Sequence, residues 1–359
     1  MSSAGPDVIV TGPDVDLPDG RAAALDDSDA QAPAMIIYTS GTTGTPKGAV
    51  LSHGNLLAGS QALALAWRWN EADRLVLALP LFHAHGLCVG LHGTLLAGAS
   101  VVVVPRFDVD AVLDAARDQA ATLFFGVPTM YHRLAQSARV GELGRLRLCV
   151  SGSAPLPAEL HARLALETGQ QVLERYGTTE TLMIASNPYE GDRRAGSVGL
   201  PLPGVEVRLA GGDGEILVRG PNVFGGYWQR PDATAGAFVD GWFRTGDLGA
   251  WDPDGYLRIL GRSKELIISG GYNVYPREVE DVLLGHPRIS EVAVVGTPSD
   301  EWGEIVTAFI VPDGAAPTDD ELLAFAADRL APYKRPRLVR VVDALPRNAM
   351  GKVLKQELG

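Results

Sequence analysis

The amino-acid sequence predicts an α/β fold: a parallel-sheet core, then a small antiparallel β subdomain, then an α+β C-terminal unit. Three observations carry this expectation. Residues 34–196 alternate short β-branched runs with helical patterns, which is how parallel strands covered by crossover helices read. Past Gly196, glycine-rich turns separate successive strands, the texture of an antiparallel sheet. From Arg262 onward, strands and helices intermix over short distances, as in a compact α+β unit.

Taken in order, residues 1–33 have little periodicity, turn residues at Pro13, Pro18 and Gly20, and the acidic Asp26, Asp27 and Asp29. They read as a tether or the remnant of an upstream region. Residues 34–261 form the core, with strands expected at 35–38, 75–78 and 101–104 and helices at 54–67 and 109–118. No charged residue occurs from Leu75 to Pro105, a length that could span a membrane. Pro80, four glycines and the histidines His83, His85 and His92 break it instead into strand, loop, buried helix, turn and strand. The antiparallel subdomain should hold strands at 205–209, 214–218 and 256–259. Residues 262–359 should run helix 276–284, strands 290–295 and 305–311, helix 319–330 and strand 338–341.

Composition narrows the function. Lys+Arg 31 against Asp+Glu 43 leaves a net charge of −12, which lacks the basic footprint that nucleic acid or an anionic membrane demands and suits a small-molecule enzyme. The two cysteines, Cys88 and Cys149, are far apart and offer neither zinc-ligand spacing nor a disulfide framework. Residues 1–20 lack the continuous apolar core of a signal peptide. A cytoplasmic location is the expectation.

Four segments carry chemistry. Tyr38-Thr39-Ser40-Gly41-Thr42-Thr43-Gly44-Thr45-Pro46-Lys47-Gly48 lies after a strand and before a helix. Its glycines let the backbone approach closely, its hydroxyls donate to oxygens and Lys47 neutralises charge, so a polyphosphate is the natural guest. The Walker A spacing is not met, because Pro46 stands at that motif's second glycine. Glu174-Arg175-Tyr176-Gly177-Thr178-Thr179-Glu180 offers a ring, two hydroxyls and carboxylates, fit for a base, a phosphate and Mg²⁺; the plainer alternative is a helix start capped by Thr178. Arg244-Thr245-Gly246-Asp247 presents an aspartate that could accept both ribose hydroxyls, or simply end a strand. Pro346-Arg347-Asn348-Ala349-Met350-Gly351-Lys352 is a glycine turn that presents a lysine.

Together these segments resemble the signatures of the acyl-adenylate-forming superfamily of AMP-dependent acyl-CoA synthetases and ligases. The likeness runs from about Ala34 to Leu358 and includes 214–220, Tyr227, 261–267, 269–272 and 330–336 in order. It implies an adenylate-forming core with a mobile C-terminal domain, the substrates ATP and coenzyme A, and Mg²⁺. A carboxylate would attack the α-phosphate to give acyl-AMP and pyrophosphate, and a thiol would then displace AMP. The resemblance implies that Thr39, Ser40, Gly41, Thr42, Thr43, Gly44 and Lys47 hold the β- and γ-phosphates. Tyr176 would stack on adenine opposite Ser153, Ala154 and Pro155, with Glu174, Gly177 and Thr178 completing the pocket. Thr179 would touch the α-phosphate, Glu180 would hold the metal, and Asp247 and Arg262 the ribose. Lys352 would bridge the attacking carboxylate and the α-phosphate. Lys264 falls at the hinge, and Gly270 and Gly271 would line the pantetheine tunnel.

For the acid, amino-acid-activating relatives carry an aspartate near the position of His83, so amino acids are disfavoured. The runs 79–87, 126–132, 150–153 and 174–183 are most similar to those of malonyl-CoA synthetases. His83, Ser153 and Arg194 are the expected acyl contacts, with the Arg194 guanidinium gripping a distal carboxylate. Alternatives are a general short-chain or aryl acyl-CoA ligase, and a shortened non-catalytic nucleotide- or acyl-CoA-binding paralogue. Relatives carry a long region upstream of the phosphate loop, so the expectation includes self-association or a partner chain covering apolar surface around 75–104.

Overall fold

The computed structural model describes residues 28–39, 46–212, 214–347 and 352–358. In the strand Leu123–Gly126 all four residues are buried. Phe125 packs into one core with Trp67, Leu75, Leu77 and Val150, whereas Phe124 packs into another with Val76, Leu113, Tyr131 and Cys149. Burial on both faces is the signature of a parallel sheet sandwiched by helices. The sheet has seven strands, in the order Ser100–Val103, Arg74–Leu77, Leu123–Gly126, Leu148–Ser151, Leu173–Tyr176, Ala185–Ser186 and Leu200–Pro201. The first five pair in parallel and the last two antiparallel.

The uncharged stretch folds as expected. Strand Arg74–Leu77 leads to a π-helical turn, His85–Leu91, a short helix, His92–Leu96, and the edge strand Ser100–Val103. Among the described residues no helix is long and apolar enough to cross a membrane.

The strand at 35–38 has a different partner from the one expected. Pro33–Thr39 stays out of the parallel sheet and forms an antiparallel hairpin with Lys47–Ser52, to which Gly226–Tyr227 adds a third strand. The cause is its period-two pattern: Met35 and Ile37 pack inward against Leu51, Phe224 and Phe243, while Ile36 and Tyr38 face out. Such one-sided burial suits an antiparallel ribbon. The helix His53–Trp67 then starts at Ser52, where a capping box with Asn55 closes both ways; its side-chain oxygens accept from backbone amides that would otherwise lack partners.

The antiparallel subdomain orders Glu206–Ala210, Glu215–Arg219, Trp242–Trp251 and Phe238–Val239, with Leu257–Arg262 on Trp242–Trp251. The C-terminal unit sets Tyr272–Val274, Ile267–Ser269, Gly303–Pro312 and Ile289–Ser299 side by side, with Leu338–Val341 parallel to Gly303–Pro312. Helices Pro276–Leu284 and Asp319–Ala327 close its core through Val279, Leu283, Leu322 and Ala326.

Candidate active site

Loops at the carboxyl ends of the parallel strands form the site, the usual place for a ligand crevice in an open α/β sheet. Tyr176 ends the strand Leu173–Tyr176, and its hydroxyl donates to Asp247 Oδ2 at 2.5 Å. Asp247 and Arg262 are paired across Trp242–Trp251 and Leu257–Arg262, which brings Arg262 Nε to Asp247 Oδ1 at 2.8 Å. Asp247 therefore lies within a strand rather than ending one. Burial pushes its carboxyl up, and Arg262 pulls the other way. The Lys352 ammonium is within electrostatic reach of Arg262, Asp247 and Glu265, and burial, then Arg262, lower its pKa. Four residues far apart in sequence, Tyr176, Asp247, Arg262 and Lys352, are thus brought together.

Residues 177–182 form a turn and not the helix start that Thr178 would cap; Thr178 Oγ1 instead meets Thr181 Oγ1 at 3.1 Å. Gly177 is required there, since a Cβ would lie 2.0 Å from Leu182 O. Within the turn, Glu180 Oε1 accepts from the Tyr227 hydroxyl at 2.8 Å, and Lys47 Nζ sits 5.1 Å from the Tyr227 ring centroid. Thr39 and Lys47 are paired at the end of the hairpin ladder. Ser40, Gly41, Thr42, Thr43 and Gly44 lie outside the described residues. The strand Lys47–Ser52, which separates this loop from the helix, is an element that sequence reasoning missed. Among the described residues no three His, Cys, Asp or Glu side chains gather as a metal cage. One carboxylate with a free oxygen fits a Mg²⁺ that keeps waters and takes its other ligands from phosphates.

Glu174 has a different job from the expected nucleotide contact. Its carboxylate accepts from the amides of Leu156, at 2.8 Å, and Gly196, at 3.3 Å, stapling the loop that carries Ser153, Ala154 and Pro155. Burial raises this carboxyl to about 7, against the pull of the Leu156 amide. Ser153 has φ +70°, an uncommon conformation for a side-chain-bearing residue, and its Oγ meets His85 Nδ1 at 3.2 Å.

Beside that loop is a buried polar cluster. Arg175 Nε and Nη2 and His85 Nε2 are buried with no hydrogen-bond partner among the described residues. Desolvation alone pushes Arg175 down to about 9, and the Arg175 charge, after burial itself, lowers His83 and His85. Sequence reasoning passed over Arg175; the signal was a cation inside an otherwise buried strand.

Arg194 requires a correction. Its guanidinium is clasped by Asp192, Asp252 and Asp254 at 2.7–2.8 Å and lies 4.1 Å from the Tyr256 ring centroid. With every nitrogen engaged it has no fork left for a distal carboxylate. Lys264 occupies the short turn Ser263–Glu265 and is exposed. Gly270 has φ +56° and packs on Trp302, where a Cβ would come within 2.7 Å of the ring; Gly271, at φ +82°, opens to free space.

The comparisons with known proteins give the family of the chain. The family model described as AMP-binding enzyme matches residues 6–228, and that described as AMP-binding enzyme C-terminal domain matches 278–352. A malonate–CoA ligase of Arabidopsis thaliana is 41% identical over 91% of this chain and 60% of its own length. The chain spans about 60% of the length of the first curated relatives it matches. The crystal structure of ATP-bound MatB from Rhodopseudomonas palustris superposes with a TM-score of 0.90 at 48% identity, covering 94% of this chain and 69% of that one. A malonyl-CoA ligase ternary product complex with methylmalonyl-CoA and AMP, 51% identical over 90% of this chain and 73% of that one, superposes at only 0.65. At similar identity, the arrangement here is much nearer that of the ATP-bound relative.

Proposed function

The chain belongs to the AMP-binding enzyme family, and on that premise we propose that it is an ATP-dependent acid–thiol ligase acting on malonate. The acid and ATP form malonyl-AMP with loss of pyrophosphate, and the thiol of coenzyme A then displaces AMP to give malonyl-CoA. The carrying observation is Arg175. A fully buried guanidinium with no carboxylate beside it is expensive unless an anion arrives with the substrate. Its unpartnered Nε and Nη2 are adjacent donors of one fork, the shape that takes a carboxylate bidentately. His83 and His85 feel the Arg175 charge, and His85 is linked in turn to Ser153 Oγ.

In this reading Arg175 holds the distal carboxylate while the proximal one attacks. Tyr176 offers its ring to adenine, and Asp247, held by Tyr176 and Arg262, accepts from the ribose hydroxyls. The phosphate loop, ending at Lys47, cradles the β- and γ-phosphates. Thr179 meets the α-phosphate, and Lys352 stabilises the charge that develops there as the acid attacks. Mg²⁺ at Glu180 would neutralise phosphate oxygens. The turn at Gly270 and Gly271 leaves room for the thiol arm after Lys264 lets the C-terminal unit swing.

An ATP–pyrophosphate exchange screen across mono- and dicarboxylic acids tests this reading. Malonate should lead the series, and coenzyme A should complete turnover where a phosphopantetheinyl carrier protein does not. Exchange led by butyrate or an aryl acid would favour a general acyl-CoA ligase, and no exchange with any acid would favour a non-catalytic paralogue.

A further inference from the structure

The Tyr227 side chain stands between two opposite charges that do not meet. We propose that Tyr227 is a positioning residue that holds Lys47 and Glu180 apart and aims both at the phosphate chain of the nucleotide; the inference rests on the adenylating function proposed above. Its backbone is fixed to the strand that leaves the phosphate loop: Tyr227 pairs with Ala49, and the Trp228 amide donates to Gly48 O at 2.7 Å. Phe224 packs edge-on to the Tyr227 ring, with centroids 4.9 Å apart, and the Phe224 amide donates to Glu180 O at 2.8 Å. One short segment therefore anchors the loop strand and the Glu180 turn together.

The side chain divides its two faces of chemistry between the charges. The hydroxyl donates to Glu180 Oε1 at 2.8 Å, which leaves Oε2 for a cation, and the ring holds Lys47 Nζ at 5.1 Å. Neither Lys47 nor Glu180 forms an ion pair among the described residues. A phenol is protonated at neutral pH, so the hydroxyl is a donor there. Without the hydroxyl the carboxylate loses its fixed direction and the cation it would hold is misplaced, whereas the ring still keeps Lys47 in place. The cation–π contact keeps Lys47 near but unneutralised, a role that a ring face can fill and a carboxylate cannot.

The test measures ATP binding by calorimetry with Mg²⁺ and with chelator, alongside the pyrophosphate exchange rate. The wild-type chain should bind ATP more tightly with Mg²⁺. In Tyr227→Phe that Mg²⁺ advantage should shrink about tenfold, the size of one hydrogen bond to a charged group, while chelated ATP binds as before. Tyr227→Leu should weaken chelated ATP as well, because Lys47 loses its ring. In a Glu180→Gln background, Tyr227→Phe should have no further effect on the Mg²⁺ advantage, which also serves if the single variant folds poorly. An unchanged Mg²⁺ advantage in Tyr227→Phe, or equal weakening of both forms, overturns the inference and leaves the adenylating function standing. A wild-type chain that binds no ATP overturns both.

Discussion

The Arg175 guanidinium lies directly against the Gly152 backbone: a Cβ at Gly152 would come within 2.3 Å of Arg175 Cζ. The glycine makes room for a charge that nothing in the described chain neutralises. Replacing Arg175 with Met should lower kcat/KM for malonate by about 2–5 kcal/mol in transition-state terms, the range for losing one partner of a buried charge pair. Butyrate should gain relative to malonate. Because an apolar side chain removes an unpaired buried charge, thermal stability should hold or rise. Arg194→Ala should behave in the opposite way, lowering Tm through loss of its three aspartates and leaving the malonate-to-butyrate ratio alone. A ratio that moves with Arg194 and not with Arg175 would reverse the assignment.

Tyr176→Phe tests the ribose arrangement. The ring remains for adenine, but Asp247 keeps only Arg262 to orient it. Losing a hydrogen bond to a charged group is typically worth about 1.5–3 kcal/mol at most, so the KM for ATP should rise roughly tenfold with kcat little changed. Steady-state kinetics at saturating acid and coenzyme A give the answer, and an unchanged KM would mean the Tyr176–Asp247 contact is not used in nucleotide binding.

Glu174 makes stability depend on pH. Its ordinary value is 4.5 and burial raises it to about 7 in the fold, so between these values the folded chain holds a proton that the unfolded chain has released. The contribution is complete below 4.5 and is lost as pH rises through 7, bounded at about 3 kcal/mol. Relative to Glu174→Gln, the parent protein should lose unfolding free energy between about pH 5 and about pH 8. Denaturant melts of both proteins across that range would show it; a constant difference would remove the proton linkage.

These sites were legible in the sequence to different degrees, for physical reasons. Tyr176, Asp247, Arg262 and Lys352 lie together, and the segments that carry them could be singled out because each joins glycines, hydroxyls or charges in one short run. The parallel core was legible from short apolar runs such as 75–78 and 101–104. The hairpin was not, since Lys47–Ser52 is a short strand pressed between a loop and a helix cap. Arg194 misled because its clasp depends on Asp252, 58 residues further along, and Arg175 was missed because local pattern does not reveal that its strand is buried on every side.

Lys352→Ala separates the half-reactions. The described residues flanking Lys352 are tied down by the Arg347–Val353 bridge, by the Leu354 amide on Pro346 O at 2.8 Å, and by Lys355 on Glu280 at 2.7 Å. None of these ties needs the Lys352 ammonium, so the variant should fold. Formation of malonyl-AMP should slow by roughly 10²-fold or more, the usual effect of removing an electrostatic contact to a transferring group. Conversion of supplied malonyl-AMP to the thioester should be largely spared, and equal loss in both steps would contradict the role.

The outer end of the seven-stranded sheet predicts self-association. Ser100–Val103 pairs on one side only, with Arg74–Leu77, so its free edge offers unpaired backbone groups to another chain. Beside it the side chains of Leu95 and Val103 are 67% and 53% exposed, with Phe82 at 71% in the preceding loop. The strand itself contains neither a charge nor a proline, and apolar groups gathered at an open strand commonly mark an interface or an aggregation site. The isolated chain should therefore sediment as a concentration-dependent oligomer and bind an apolar dye. Leu95→Lys with Val103→Lys should shift it toward monomer without reducing ATP binding, since the edge strand that carries Val103 is separated from the Tyr176 strand by three others in the sheet order. A parent chain that sediments as a monomer at every concentration and binds no dye would refute the prediction.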